Sequence, residues 1–369
     1  MHAIPELIRT VLSFGVVLGV LVFVHEFGHY LAARLCGVHV EVFSIGFGQA
    51  ITRWVDRQGT VWKIAWLPLG GYVKLHGQER PEDVSAAVRA SWIPGRTFHE
   101  KSVGKRAIVV AAGPIANFVL AIVLFSGLFA VLGRPVTQPV VGAVMHDSAA
   151  DHAGLATGDR IVTIDGQPIH NFEDIQRIVS AHPDTALPVT YDHGGTQRSV
   201  QVHVGHQVED GHEVGLLGIQ AGKVDYQPVA LPIALWGGVL QTWDITSQTI
   251  VGVEQMITGQ RGTSDLGGPL RIAELSGQVA ELGLASMIQF IGILSINLGL
   301  INLFPIPVLD GGHLMFYFAE AVRGRPIPAR AQEYGFRAGI ALLAGLFVFA
   351  TWNDLSNIGL FHWVASLMG

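Results

Sequence analysis

The chain has 369 residues, half of them hydrophobic, yet only 14% are charged, against roughly 25% in an ordinary globular protein. Together with a positive mean hydropathy, this excludes a uniformly soluble protein. A formal net charge of -6 without any basic cluster argues against nucleic-acid binding. The single cysteine, Cys36, excludes an internal disulfide and any multi-cysteine metal site.

Charge is missing from particular places. Between Arg9 and Arg34 the only charged residue is Glu26, and residues 107–133, 282–309 and 338–353 carry none. A spanning helix needs about 20 mostly apolar residues, so the sequence predicts four transmembrane helices. The first, within residues 1–35, is not read as a cleaved signal peptide. It has no small-residue exit before Glu26, and cleavage would remove its most reactive side chains. That helix carries His25-Glu26-Phe27-Gly28-His29, an HExxH pattern. On a helix, positions i and i+4 share a face, so both imidazoles can bind one zinc ion while Glu26 takes a proton from water. Ionisable groups inside an apolar helix are expensive and functional by default. A structural Glu–His pair is the bland alternative.

Residues 36–106 form a polar loop holding two β-prone runs, Ile51–Val55 and Thr60–Trp66, around Asp56-Arg57-Gln58-Gly59. They predict a hairpin whose many aromatic residues associate it with the membrane. Residues 107–133 supply the second transmembrane helix. Over 136–222 the pattern becomes that of a small α+β domain. Arg160–Ile164 alternates as a half-buried strand before an Asp165-Gly166 turn, Phe172–Ala181 has helical spacing, and Leu187–Tyr191 and Ser199–Val204 are strands around Gly194-Gly195. This stretch resembles a bacterial PDZ domain, a fold that binds chain termini by strand addition. Its histidines His203, His206 and His212 are read as a solvated loop.

Residues 223–281 predict a membrane-surface amphipathic region, because Asp244 and Glu254 interrupt its apolar run. Residues 282–318 give the third transmembrane helix, 319–337 a second polar loop, and 338–369 the fourth helix with a tail. Of the 23 Lys and Arg residues, 11 lie in 34–106, 7 in 134–286 and 4 in 323–337. The positive-inside rule places the first and last of these segments in the cytoplasm and the 136–222 domain outside.

Catalytic zinc usually has three protein ligands. The third candidate is Asp310, the acid that closes the uncharged 282–309 run, with His313, His39, His76 and His99 as alternatives. On this topology Asp310 and the HExxH helix end share the cytoplasmic side.

These residues resemble the signature motifs of the site-2 protease family of intramembrane zinc metalloproteases. HExxH lies in the first span, and Asn302-Leu303-Phe304-Pro305-Ile306-Pro307-Val308-Leu309-Asp310-Gly311 matches the family's NxxPxxxLDG pattern at every defined position. Gly113-Pro114-Ile115-Ala116-Asn117 matches a further second-span motif, and Gly46–Gly48 with Gly70–Lys74 resembles the family's membrane-re-entrant β-loop. The type is RseP/RasP-like, with room for one PDZ domain where better-known members carry two. The resemblance implies His25, His29 and Asp310 as Zn2+ ligands and Glu26 as catalytic base. It also implies transmembrane protein substrates already trimmed by another protease, such as anti-sigma factors, and remnant signal peptides. Asn302 and Asn297, on the span that ends in Asp310, are candidates to bind unwound substrate backbone, with helix–helix hydrogen bonding the alternative for each. The expected protein is a polytopic α-helical protein of the bacterial inner membrane, with its site toward the cytoplasm, the PDZ domain on the periplasmic side, and peptide C-termini and the lipid bilayer as partners. A PDZ scaffold without activity and a proton-relay transporter are the competing classes, and neither accounts for both motifs together.

Overall fold

A computed structural model describes residues 3–79, 84–209, 212–222, 224–260, 262 and 267–357. The end of the expected 338–369 segment, from 358 onward, lies outside the described residues. The chain divides into a helical unit, Met1–Leu128 with Leu235–Gly369, and a β-rich unit, Phe129–Ala234.

In the helical unit, α1 (Ala3–Leu35) leads into two long strands, β1 (Val40–Val55) and β2 (Val61–Leu75), then a short α2 (Ala86–Ala90) and α3 (Val103–Leu132). Helix α3 tolerates Pro114 in its interior. In the β-rich unit follow β3 (Arg134–Thr137), β4 (Val141–Val144), α4 (Ala149–His152), β5 (Arg160–Ile164), β6 (Gln167–Pro168), α5 (Phe172–Ser180), β7 (Ala186–His193) and β8 (Thr196–His203). That unit closes with β9 (Gly205–Glu209), β10 (His212–Leu216), β11 (Ile219–Ala221) and β12 (Val224–Gln227). The chain then forms α6 (Leu231–Ile257), α7 (Pro269–Glu281), α8 (Leu284–Leu303), α9 (Asp310–Arg323) and α10 (Ala329–Asn357).

Four helices are long and apolar enough to cross a bilayer: Pro5–Leu35, Val103–Leu132, Leu284–Leu303 and Ala329–Leu355. At 1.5 Å per residue, the shortest reaches about 30 Å, the thickness of the hydrocarbon core. Helix α6 is comparably long but more polar. Thr242, Thr246 and Thr249 fold their hydroxyls back onto carbonyls four residues earlier, which satisfies them within the helix. It packs on α3, where a side chain at Gly238 would strike Ser126 and Ile122, and on α8, where Thr249 donates to Asn297 Oδ1 at 3.3 Å. Helix α7 lies along α1, with Gly277 against Thr10 and Arg9 paired to Glu281 at 2.5 Å.

The β1–β2 hairpin is longer than its two apolar runs suggest and is doubly paired. Val42 to Ile45 stand opposite Lys74 to Gly71, and also opposite Val61 to Ile64. The chain can bend this way because Gly46, Gly48 and Gly70 adopt positive φ, which costs glycine nothing. Asp56 fixes the turn, accepting from Gln58 N, Thr60 N and Trp62 Nε1 at 2.8–3.1 Å and from Tyr30 on α1 at 3.3 Å. Those bonds outweigh the upward push of burial and hold the Asp56 carboxyl below its ordinary pKa.

The β-rich unit follows its sequence pattern closely. Strands run β6-β5-β7-β8 in one sheet, with two-residue turns at Asp165-Gly166 and Gly194-Gly195 in which both residues have positive φ, the hairpin geometry such pairs favour. Inward-facing Ile161, Ile164, Val189, Tyr191 and Val202 pack on Phe172, Ile175, Ile178 and Val179 of α5.

A candidate zinc centre at the end of α1

The HExxH segment forms the last turns of α1, so His25 and His29 project from one face. Gly28 brings that face close to α3, since a side chain there would collide with Ala112 and Ala116. Gly113 provides the slot for the second imidazole, since any Cβ at that position would overlap the His29 ring. The third arm comes from α9. After α8, the Phe304-Pro305-Ile306-Pro307 stretch cannot continue the helix, and the chain turns through 304–309 before α9 starts at Asp310. Gly311 and Gly312 let the new helix press against that turn, where side chains would meet carbonyls of Leu303, Phe304 and Ile306. Asp310 is thereby fixed in the first turn of α9, where a carboxylate suits the helix dipole.

His25 Nε2 lies 3.3 Å from Asp310 Oδ2, His29 Nε2 lies 3.4 Å from the same oxygen, and the two nitrogens are 3.3 Å apart. Among the described residues this is the only group of three His, Cys, Asp or Glu side chains whose ligand atoms all lie within 4.8 Å of one another. A tetrahedral zinc ion with bonds of about 2.0–2.1 Å spaces its ligands about 3.3–3.4 Å apart, which is the triangle found. Asp310 Oδ2 is buried and has no hydrogen-bond partner among the described residues. Three acceptor atoms so close are held together by a shared proton or a cation. His29 Nδ1 donates to the Val109 carbonyl at 2.9 Å, leaving Nε2 with its lone pair toward Asp310.

His25 Nδ1 faces the Asn117 side-chain amide at 3.1 Å. Asn117 is fully buried on α3, and its Oδ1 otherwise lacks a partner. Nitrogen and oxygen of such an amide are assigned by their bonding. Turned so that Oδ1 accepts from His25 Nδ1–H, the amide satisfies that oxygen and frees Nε2 for a metal. Its backbone carbonyl accepts from Ser295 on α8 at 2.8 Å, so one polar chain runs α8–α3–α1 to the ligand. Sequence reading had not singled out Asn117 as a site residue, although it is the only amide in the 107–133 run.

These side chains open onto a cavity of about 710 Å³. Glu26 lines it beside the ligands, as does the β2 segment Gly71–Val73, with Gly71 packed directly on Glu26 and Val22. Asn302 also lines the cavity, its amide donating to the Leu298 carbonyl at 2.9 Å, whereas Asn297 lies off it and bonds Thr249. Of the other histidines considered as ligands, His313 and His99 line the cavity. His76 instead donates to Glu41 at 2.8 Å and accepts from Ile93 N at 2.9 Å, and its ring meets His39.

The family model of peptidase family M50 matches residues 13–346. The chain belongs to that family. M50 is the site-2 protease family, so the chain is a zinc metalloprotease. Among its relatives is a Rhizobium meliloti protein named "putative zinc metalloprotease", 44% identical across 94% of this chain and 96% of its own. Caulobacter vibrioides metalloprotease MmpA is 36% identical, covering 95% and 96%. Escherichia coli regulator of sigma-E protease RseP is 32% identical, covering 94% and 98%. The alignment with the E. coli protein spans 448 positions, well beyond this chain's 369 residues, so that M50 relative carries additional sequence. Among solved structures, the PDZ domain of a Listeria monocytogenes SdrC-like protein aligns to 23% of the chain at 20% identity, with a TM-score of 0.21.

Proposed function

We propose that this M50 protease is an intramembrane endopeptidase that cuts transmembrane segments of other membrane proteins. The observation that carries the reading is the convergence of His25, His29 and Asp310, beside Glu26, on a cavity walled by helices long enough to span a bilayer. The three ligands would hold Zn2+, which supplies Lewis acidity and a water of lowered pKa. Glu26 accepts the proton of the attacking water and returns it to the leaving amine, so water and one peptide bond become a carboxylate and an ammonium group, the second water proton also ending on the amine.

A helical substrate shields its own peptide bonds and must unwind first. The 71–74 segment of β2, beside Glu26, is then placed to receive the freed strand by backbone pairing. Asn302 faces the same space and can bind a freed carbonyl or N–H. For Asn297 the bond to Thr249 supports the helix–helix role. The β-rich unit serves as a PDZ domain that screens or gates substrates through their chain ends. The chain resides in the bacterial inner membrane with the site toward the cytoplasm and this domain in the periplasm, and it acts on proteins already shortened by another protease, such as anti-sigma factors.

The test is cleavage of a model transmembrane substrate by the detergent-purified chain. Wild type should cut and should stop when zinc is chelated. Glu26→Gln should lose at least about 10²–10⁴-fold in rate, the span of general-base catalysis, while keeping its zinc. Full activity in that variant would sink the mechanism.

A further inference from the structure

Peptide hydrolysis needs a group to hold the negative charge that develops on the scissile carbonyl oxygen, and the roles assigned so far leave that task to the metal alone. Resting on the peptidase reading above, we infer that His313 is a further catalytic residue, donating a ring N–H to that oxygen.

His313 stands three residues after Asp310 on α9. Positions i and i+3 are neighbours on a helix face, and helical side chains lean toward the helix N-terminus, which carries the imidazole back toward the level of the Asp310 carboxylate. The ring is half-buried and lines the same cavity. Its nitrogens have no hydrogen-bond partner among the described residues. The ring is braced instead by Phe336 at 5.3 Å and Tyr317 at 6.5 Å. The other cavity histidine, His99, already spends its Nδ1 on the Gly77 carbonyl.

Glu26 and His313 line the same cavity beside the ligand triangle. A carbonyl between them would meet a proton acceptor and a donor, the arrangement that lowers a barrier when charge builds up on oxygen.

The experiment uses the purified full chain and reads zinc content, cleavage of a model transmembrane peptide, and binding of two probes. One probe is a peptide phosphinate, which carries a tetrahedral anionic centre; the other is a peptide hydroxamate, which only chelates. Removing one oxyanion donor typically costs about 10²–10³-fold in kcat. His313→Ala should show that loss with KM little changed, a parallel loss of phosphinate affinity, and unchanged zinc and hydroxamate binding. His313→Gln, which restores an N–H donor, should recover part of both losses. Unchanged kcat in His313→Ala, or equal weakening of both probes, would overturn the assignment to His313. A wild-type chain without zinc would instead overturn the peptidase reading on which it rests.

Discussion

The two units of this chain sort their residues by opposite rules. In the β-rich unit, Ile161, Ile164, Val189 and Val202 are sealed inside, while Thr196, Gln197, Arg198 and Ser199 are exposed. In the helical unit, Ile108, Val123, Phe347 and Val348 are more than half exposed, while Asn117, Ser276, Ser295 and Asp354 are buried. On the proposed membrane reading, the difference is the solvent each unit is built for. Water rewards burial of apolar surface. Lipid does not, so helices that meet in it associate through small residues and interhelical hydrogen bonds. The glycine contacts of Gly28, Gly113 and Gly238 and the Ser295–Asn117–His25 chain are of that kind.

Substitutions can break this contrast. The largest stability effect is expected at Ile161, 1% exposed in the β-rich core. Ile161→Ala should cost about 2–5 kcal/mol, seen as proteolysis of that unit, whereas Ile108→Ala on α3, 58% exposed, should change stability in detergent by less than about 0.5 kcal/mol. Comparable losses at the two positions would refute the contrast. Next comes Asn117→Ala, which removes the partner of the His25 imidazole and, with His25 as a proposed zinc ligand, should weaken zinc affinity about 10–100-fold, measured by competition with a chelator.

A smaller effect is expected at Asp354. Its carboxylate accepts from Gly268 N at 2.8 Å and Arg271 N at 3.2 Å, capping the start of α7 from α10. Asp354→Ala should lower thermal stability in detergent by about 0.5–2 kcal/mol, the range of a lost cap. The smallest lies on the β-rich surface. The Asp184 carboxylate, 2.8 Å away, raises the pKa of His206. A raised folded value means the pair helps below the ordinary histidine pKa of about 6.5 and is lost as pH climbs through the folded value. The melting temperature of the wild type should therefore fall slightly more than that of His206→Ala between pH 6 and pH 8.

Much of this was legible in the sequence, unevenly. The four apolar helices appear wherever charge is missing, and HExxH and the Leu309-Asp310-Gly311 turn mark the proposed ligands because acids so rarely interrupt such runs. The strands and helix of 160–203 follow from alternation and turn pairs. Other features depend on distant partners. Nothing local in Val42–Ile45 announces two partner segments, and the Asp354 carboxylate finds its purpose only where α7 begins. Asn117 and Gly113 sit within a motif visible in the chain, but their roles emerge only when α3 meets the face of α1. Beside the preferred Asp310, the sequence offered His39, His76, His99 and His313 as alternatives for the third ligand. Folding separates them, leaving His39 and His76 beside Glu41 and bringing Asp310 to the HExxH face.

The account turns on His25, His29 and Asp310 sharing one zinc ion. Zinc-edge X-ray absorption on the purified chain, paired with metal analysis of Asp310→Ala, tests it most directly. The account predicts about one zinc per chain bound by two imidazole nitrogens and carboxylate oxygen at about 2.0–2.2 Å, with most of that zinc lost from the variant. Full zinc occupancy with an unchanged spectrum in Asp310→Ala would contradict it.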